Sequence, residues 1–159
     1  MLVNAVEEFD VGKGKVHKTS DVDLMATLNA NTIPFTFMTR FLGPQLKARA
    51  VDGSKRSAII TMSSYYTQWR SYNLPIFCAS KSYTDGVSQV VGYENPDIDV
   101  LTVQGMPVLS KRNPNGVNAT ELVEGVFNDL GHQRISYGHW RHSLMRQMIL
   151  VKQCDWWFP

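Results

Sequence analysis

Ser57-Ala58-Ile59-Ile60-Thr61-Met62-Ser63-Ser64, followed by Phe77-Cys78-Ala79-Ser80-Lys81, is the stretch from which the fold is read. Ser57 to Met62 has a short apolar heart, Ala58-Ile59-Ile60, the pattern of a strand buried in a sheet. Ser63 to Pro75 is rich in serine, tyrosine and tryptophan and reads as a loop. Ile76 to Tyr93 predicts a helix with Ala79, Tyr83, Val87, Val90 and Val91 turned inward. A second strand is expected over Asp97–Val103, ending at Gly105-Met106-Pro107.

Outward from this centre the alternation continues. Upstream, Leu24, Met25, Leu28, Phe37, Met38, Phe41 and Leu42 recur at helical spacing, predicting a helix over 21–46 that Pro34 should kink or interrupt. Lys47 to Arg56, with Gly53, reads as a charged linker, and Glu7 to Ser20 as a polar loop after a short strand at Leu2–Val6. Downstream, Asn118-Ala119-Thr120-Glu121 resembles a capping box opening a helix that runs to about Leu130 and is stopped by Gly131. A last helix with an aromatic tail is expected over 143–159. Strands alternating with helices imply the α/β class, a parallel sheet flanked by helices in one domain over 1–159.

Several function classes recede on composition. The 159 residues are 43% hydrophobic and 19% charged, ordinary for a globular chain. A net charge of +2 gives no concentrated basic face, and so no expectation of nucleic acid. Cys78 and Cys154 offer no disulfide framework or CxxC metal pair. His132, His139 and His142 lack a local cysteine pair or carboxylate, so no metal is expected. Gly12 and Gly14 form a lone GxG without the helix-opening context of a phosphate loop. Met1 to Val6 reads as neither a signal peptide nor a membrane span.

At Ser64, Phe77 and Lys81 the sequence resembles the short-chain dehydrogenase/reductase family. Strand 57–62 is similar to the family's strand that ends in the catalytic serine, here Ser64. Thirteen residues on, where such enzymes carry tyrosine, stands Phe77, and four residues later Lys81 matches the family's lysine. Asn31 falls at the asparagine of the catalytic tetrad, and Asn4 lies in a strand resembling the one against the cofactor. Gly138-His139-Trp140-Arg141-His142-Ser143-Leu144 resembles a segment of the 17-beta-hydroxysteroid dehydrogenases and very-long-chain 3-oxoacyl-CoA reductases.

The resemblance implies a partial Rossmann-like fold that begins at the family's fourth strand, lacking the first strands and the glycine-rich turn. It places Asn31, Ser64, Phe77 and Lys81 at catalytic positions and Asn4, Lys81 and Ser110 at cofactor positions. In the family the tyrosine is the general acid, the lysine lowers its pKa and holds the nicotinamide ribose, and the serine orients the carbonyl. Phenylalanine has no proton to give. The family's glycine after the first matching strand is Glu7, and its Pro-Gly beside the nicotinamide aligns with Gly105-Met106. The expectation is therefore a pseudoenzyme without cofactor, an accessory subunit meeting other proteins. Its contacts would be the 21–46 and 76–93 helices, which build the family's subunit interface, and the exposed sheet edge. Trp156, Trp157 and Phe158 fold back on the core, or contact a partner or a bilayer surface. The compartment expected is intracellular, mitochondrial ahead of the endoplasmic reticulum. The alternative is an NADPH-dependent reductase of ketone, 3-oxoacyl or steroid substrates, completed by a separate chain bearing the glycine-rich half. Tyr65, Tyr66 or Tyr72 would then have to replace the missing acid.

Overall fold

The computed structural model describes residues 1–9, 13–53, 55–69, 71–111 and 113–155, with side chains through 151. The Trp156-Trp157-Phe158 tail lies outside the described residues. Four strands, β1 (Leu2–Asn4), β2 (Ser57–Met62), β3 (Ile98–Val103) and β4 (Ile135–Ser136), form one all-parallel sheet in that order. Helices α1 (Asp21–Val51), α2 (Pro75–Glu94), α3 (Ala119–Asp129) and α4 (Trp140–Asp155) complete the chain.

Parallel strands need covered faces, and each face has its own core. Leu2, Ile59, Ile98 and Val100 pack with Leu46 of α1, and Val91 of α2 adds to them. On the other side Ile60, Leu101 and Val103 meet Val126 of α3. The alternation of Ile59 and Ile60 between the two clusters is the period-two rule of a strand.

The α/β class and the principal elements stand where the sequence puts them; the details differ. The first helix does not end at 46: α1 takes in much of the expected charged linker and is continuous through Pro34 and Pro44. Hydroxyls of Thr32 and Thr36 donate to the carbonyls of Leu28 and Thr32, each at 2.7 Å, around the first proline. Such helix-side bonds accommodate a proline that the packed partners hold in place. The leading strand is shorter than expected, Leu2–Asn4. β4 has no apolar run to announce it.

On α2, Ala79, Tyr83 and Val90 face outward rather than inward. The buried positions are Phe77, Cys78, Ser80, Lys81, Thr84, Ser88 and Gly92. The capping box is half formed. Asn118 caps α3 by accepting from the Thr120 backbone N–H at 2.8 Å, while Glu121 pairs with His139 at 3.4 Å. Gly131, at φ +80°, follows α3 as expected. Gly125 permits a closer approach, since a Cβ there would strike the carbonyl of Gly138.

Candidate functional site

The ends of β1 and β2 converge on α2, and the sequence-predicted residues gather there in two groups. A cleft of about 440 Å³ is lined by Ser64, Phe77 and Ser110, with Glu7, Phe9, Tyr66, Met106 and Leu109 among its walls. A second cavity of about 220 Å³ is lined by Asn4, Asn31 and Lys81. Val6 lines the second and Glu7 and Phe9 the first, so the segment leaving β1 threads between them.

Three consecutive residues of that segment each engage one predicted site residue. The Glu7 carboxylate lies 3.1 Å from the ammonium of Lys81, which is almost fully buried and also donates to the Met62 carbonyl at 3.2 Å. A buried ammonium without an anion is costly, so Glu7, itself partly exposed, is the counter-charge that lets Lys81 sit there. At Glu8 the backbone is held at both polar atoms. Its N–H donates to Asn31 Oδ1 at 2.7 Å, and its carbonyl accepts from Asn31 Nδ2 at 3.0 Å. Asn31 Nδ2 also reaches Ser80 Oγ at 3.0 Å, tying the segment to α2.

The third contact is aromatic. Phe9 meets Phe77 edge to face at 4.9 Å, and Tyr66 meets Phe77 at 5.9 Å. Phe77, 3% exposed, belongs to a small apolar cluster with Leu74 and Cys78. The Lys81 ammonium stands 5.7 Å from the Phe77 ring, where the ring's negative face attracts it. Phe9, which closes this contact, carries no signal in the sequence because its surroundings read as loop.

The remaining predicted residues have structural duties. Ser64 Oγ accepts from the Tyr66 backbone N–H at 3.3 Å, capping the short 3-10 turn at Tyr65–Thr67. Asn4 Nδ2 donates to Thr39 Oγ1 at 3.4 Å. Ser110 Oγ accepts from the Asn113 backbone N–H at 3.2 Å at the cleft's outer rim.

The tyrosines of the loop are differently placed. Burial, then the hydrogen bond with Tyr66, pushes the Tyr65 hydroxyl above its ordinary value, so it holds its proton more tightly. Tyr72 is 90% exposed and does not line the cleft. Only Tyr65 and Tyr66 reach it. Among the histidines, His142 is buried with Nδ1 3.1 Å from the Tyr137 carbonyl, and His139 pairs with Glu121. Among the described residues no three His, Cys, Asp or Glu side chains converge.

No family model and no curated protein matches the sequence. Solved structures do match the fold. A 7beta-hydroxysteroid dehydrogenase is 18% identical over 91% of this chain and 60% of its own, with a TM-score of 0.79. A short-chain dehydrogenase from Burkholderia cenocepacia, solved with NADP, is 18% identical over 98% of this chain and 68% of its own, at 0.75. An NADH-dependent reductase of alginate metabolism is 22% identical over 70% of this chain, at 0.61. The chain spans 46% of that reductase. The fold is thus the Rossmann-like fold of the short-chain dehydrogenases and reductases, spanned in part. Among the described residues no helix is long and apolar enough to cross a membrane.

Proposed function

We propose that this protein is a catalytically silent relative of the short-chain dehydrogenases that serves as an accessory structural subunit of a larger intracellular assembly. The observation that carries the reading is the engagement of Lys81, Asn31 and Phe77 by Glu7, Glu8 and Phe9. The side chains that would hold a cofactor and move a proton are occupied in holding the chain's own segment. Phenylalanine at 77 supplies no general acid, and losing a positioned acid costs about 10²–10⁴ in rate.

The same geometry is a poor fit for a nicotinamide cofactor. The ammonium of Lys81 is already neutralised by Glu7, and that carboxylate projects into the wall a dinucleotide would have to approach. No cofactor is therefore part of the proposal.

Support for a protein partner comes from what the fold leaves uncovered. Met25, Phe37 and Phe41 on α1 and Tyr83, Val90 and Tyr93 on α2 are exposed. β1 is paired on one side only among the described strands, which leaves backbone donors and acceptors along its other side. Other subunits are the occupants of these surfaces, and the mitochondrion is the compartment in which to seek them first.

The second reading is a reductase of ketone, 3-oxoacyl or steroid substrates, completed by a separate chain and using NADPH. The feature in its favour is the 440 Å³ cleft with apolar walls beside Ser64. Titration with NADPH, followed by assay with a ketone, separates the two. Neither saturable binding at micromolar concentration nor hydride transfer is expected. The double change Glu7→Gly with Phe77→Tyr should free Lys81 and restore the hydroxyl. Binding and turnover by the unmodified protein would sink the structural reading, whereas their appearance only in the double variant would support it.

A further inference from the structure

Asn113-Pro114-Asn115-Gly116 is the type I turn pattern, with asparagine first, proline second and glycine last. The structure closes it by a hydrogen bond from the Gly116 N–H to the Asn113 carbonyl at 3.1 Å. The turn is the tip of the 107–117 loop. At the base, the Leu109 N–H donates to the Val117 carbonyl at 2.8 Å and the Val117 N–H to that of Pro107 at 3.2 Å. Pro114 and Asn115 are exposed, and the Asn115 amide has no hydrogen-bond partner among the described residues.

Asn115 is the one asparagine of the sequence that precedes a glycine. A backbone nitrogen can attack the side-chain carbonyl of an asparagine one residue back, and glycine obstructs this least because it has no Cβ. The attack is intramolecular, so nothing else has to bring the two groups together. Asn113 is followed by Pro114, whose nitrogen has no hydrogen to lose. Asn118 is held as the cap of α3, accepting from the Thr120 N–H at 2.8 Å, and Asn128 precedes Asp129, which carries a side chain.

We propose that Asn115 is a site of spontaneous deamidation, and that the isoaspartate formed there loosens one wall of the cleft. The Gly116 nitrogen bonds to Asn115 Cγ and loses its proton, the Cγ–Nδ2 bond breaks, and ammonia leaves. Water then opens the five-membered imide at either carbonyl. One opening gives aspartate; the other gives isoaspartate, in which the main chain runs through the side chain and is one carbon longer. The turn bond has to open first, which makes the folded chain about tenfold slower than a free peptide.

Gly116 has no slack for a longer chain. A Cβ there would lie 2.3 Å from the Val108 carbonyl carbon and 2.4 Å from the Leu109 nitrogen. Val108, Leu109 and Ser110 wall the cleft that also holds Ser64 and Phe77. The new carboxylate also adds negative charge to a groove of about 330 Å³ that Asn115 shares with Arg141 of α4. None of this depends on whether the cleft is catalytically silent.

The tryptic peptide 113–134 contains Asn113, Asn115, Asn118 and Asn128, so mass mapping of the full chain after incubation at neutral pH compares all four. Conversion at Asn115 is expected to be at least about tenfold faster than at Asn128, with isoaspartate among the products. It should disappear in Asn115→Gln, whose longer side chain misplaces the carbonyl. A rate at Asn115 no higher than at Asn118 or Asn128 would overturn the site. Residue-resolved hydrogen exchange tests the consequence. The Leu109 N–H should exchange about tenfold faster in the aged protein than in the fresh one, as when one such bond is lost. Asn115→Asp, measured fresh, carries the charge without the extra backbone atom and should match the fresh parent. Unchanged exchange after isoaspartate has formed, or equal acceleration in Asn115→Asp, would overturn the loosening of the wall.

Discussion

Toward the sheet, α2 presents Ser80, Thr84, Ser88 and Gly92; away from it, Tyr83, Val90 and Tyr93. α3 differs on its inner face, with Leu122 and Val126 inward, while Glu121 and Glu124 share the outer side with the exposed Val123 and Phe127. The difference is one of distance and satisfaction. A helix pressed close to a parallel sheet has room only for small side chains, and a small hydroxyl is admissible inside when its hydrogen bond is made. Ser80 donates to the Phe77 carbonyl at 2.8 Å, Thr84 to that of Lys81 at 3.0 Å, and Ser88 to Thr61 Oγ1 at 3.0 Å. Beyond the buried Phe77 and Cys78 the inner face of α2 is mostly small and polar, and Val90 and Tyr93 stand on the outside. Facing the sheet, then, α2 is largely polar and small where α3 is apolar.

The largest effect should come from violating the close inner contact. Ser88→Leu adds bulk where the side chain is 1% exposed and removes the bond to Thr61. Overpacking of this kind costs about 3 kcal/mol, or roughly 10 °C in midpoint for a chain of this size. Urea unfolding monitored by circular dichroism reads it directly. A loss below about 0.5 kcal/mol would mean that α2 stands further from the sheet than described, and the contrast with α3 would fail.

The same contrast explains what the sequence made legible. β2, β3 and α3 were readable because their buried positions are apolar and follow the period of their element. On α2 hydrophobicity does not mark the inside: Ala79, Tyr83 and Val90 are exposed while Ser80, Thr84 and Ser88 are buried. At the site, Ser64, Lys81 and Asn31 could be placed by their resemblance to a family pattern, and the structure brings them to the ends of the strands. The clamp of Glu7, Glu8 and Phe9 could not be read. Its middle member acts through backbone atoms, and Phe9 meets Phe77 across 68 residues of sequence. β4, two residues long, is too short for any period to show.

A smaller effect should appear with pH, at the inward face of α4. Burial lowers the His142 pKa below its ordinary value of 6.5, and the neighbouring His139 and Arg141 push the same way, against the hydrogen bond to Tyr137. The unfolded chain therefore takes up this proton at a pH where the folded chain does not, and stability rises with pH across that interval. The contribution is fully present above 6.5 and is lost as the solution is acidified through the lower, folded-state value. His142→Gln should flatten this limb of a stability profile measured from pH 7.5 down to pH 5. A limb unchanged in the variant would show that other groups produce it. Asp85 acts in the opposite sense. Burial raises its pKa against the bonds from Gln104 and Gln89, so its contribution is present at low pH and fades as pH rises through the raised value. Asp85→Asn provides the control of opposite slope.

The smallest effect on stability belongs to the outer face. Val90 is 52% exposed, and Phe41 is 61% exposed and stacks on Phe37 at 5.9 Å. Val90→Ser and Phe41→Ser should each leave the isolated chain within about 0.5 kcal/mol of its parent, because neither side chain fills a core position. If the outer faces of α1 and α2 are where other subunits sit, these nearly silent changes should nevertheless release the protein from its native complex. Retention on affinity-purified partners measures that loss, with the Ser88→Leu protein as the converse case. The inner variant should lose stability first and binding only in consequence, while the outer variants lose binding with the fold intact. Equal losses of stability from both faces would mean that the apolar residues outside α2 support the monomer itself, and the case for a partner on that surface would fall.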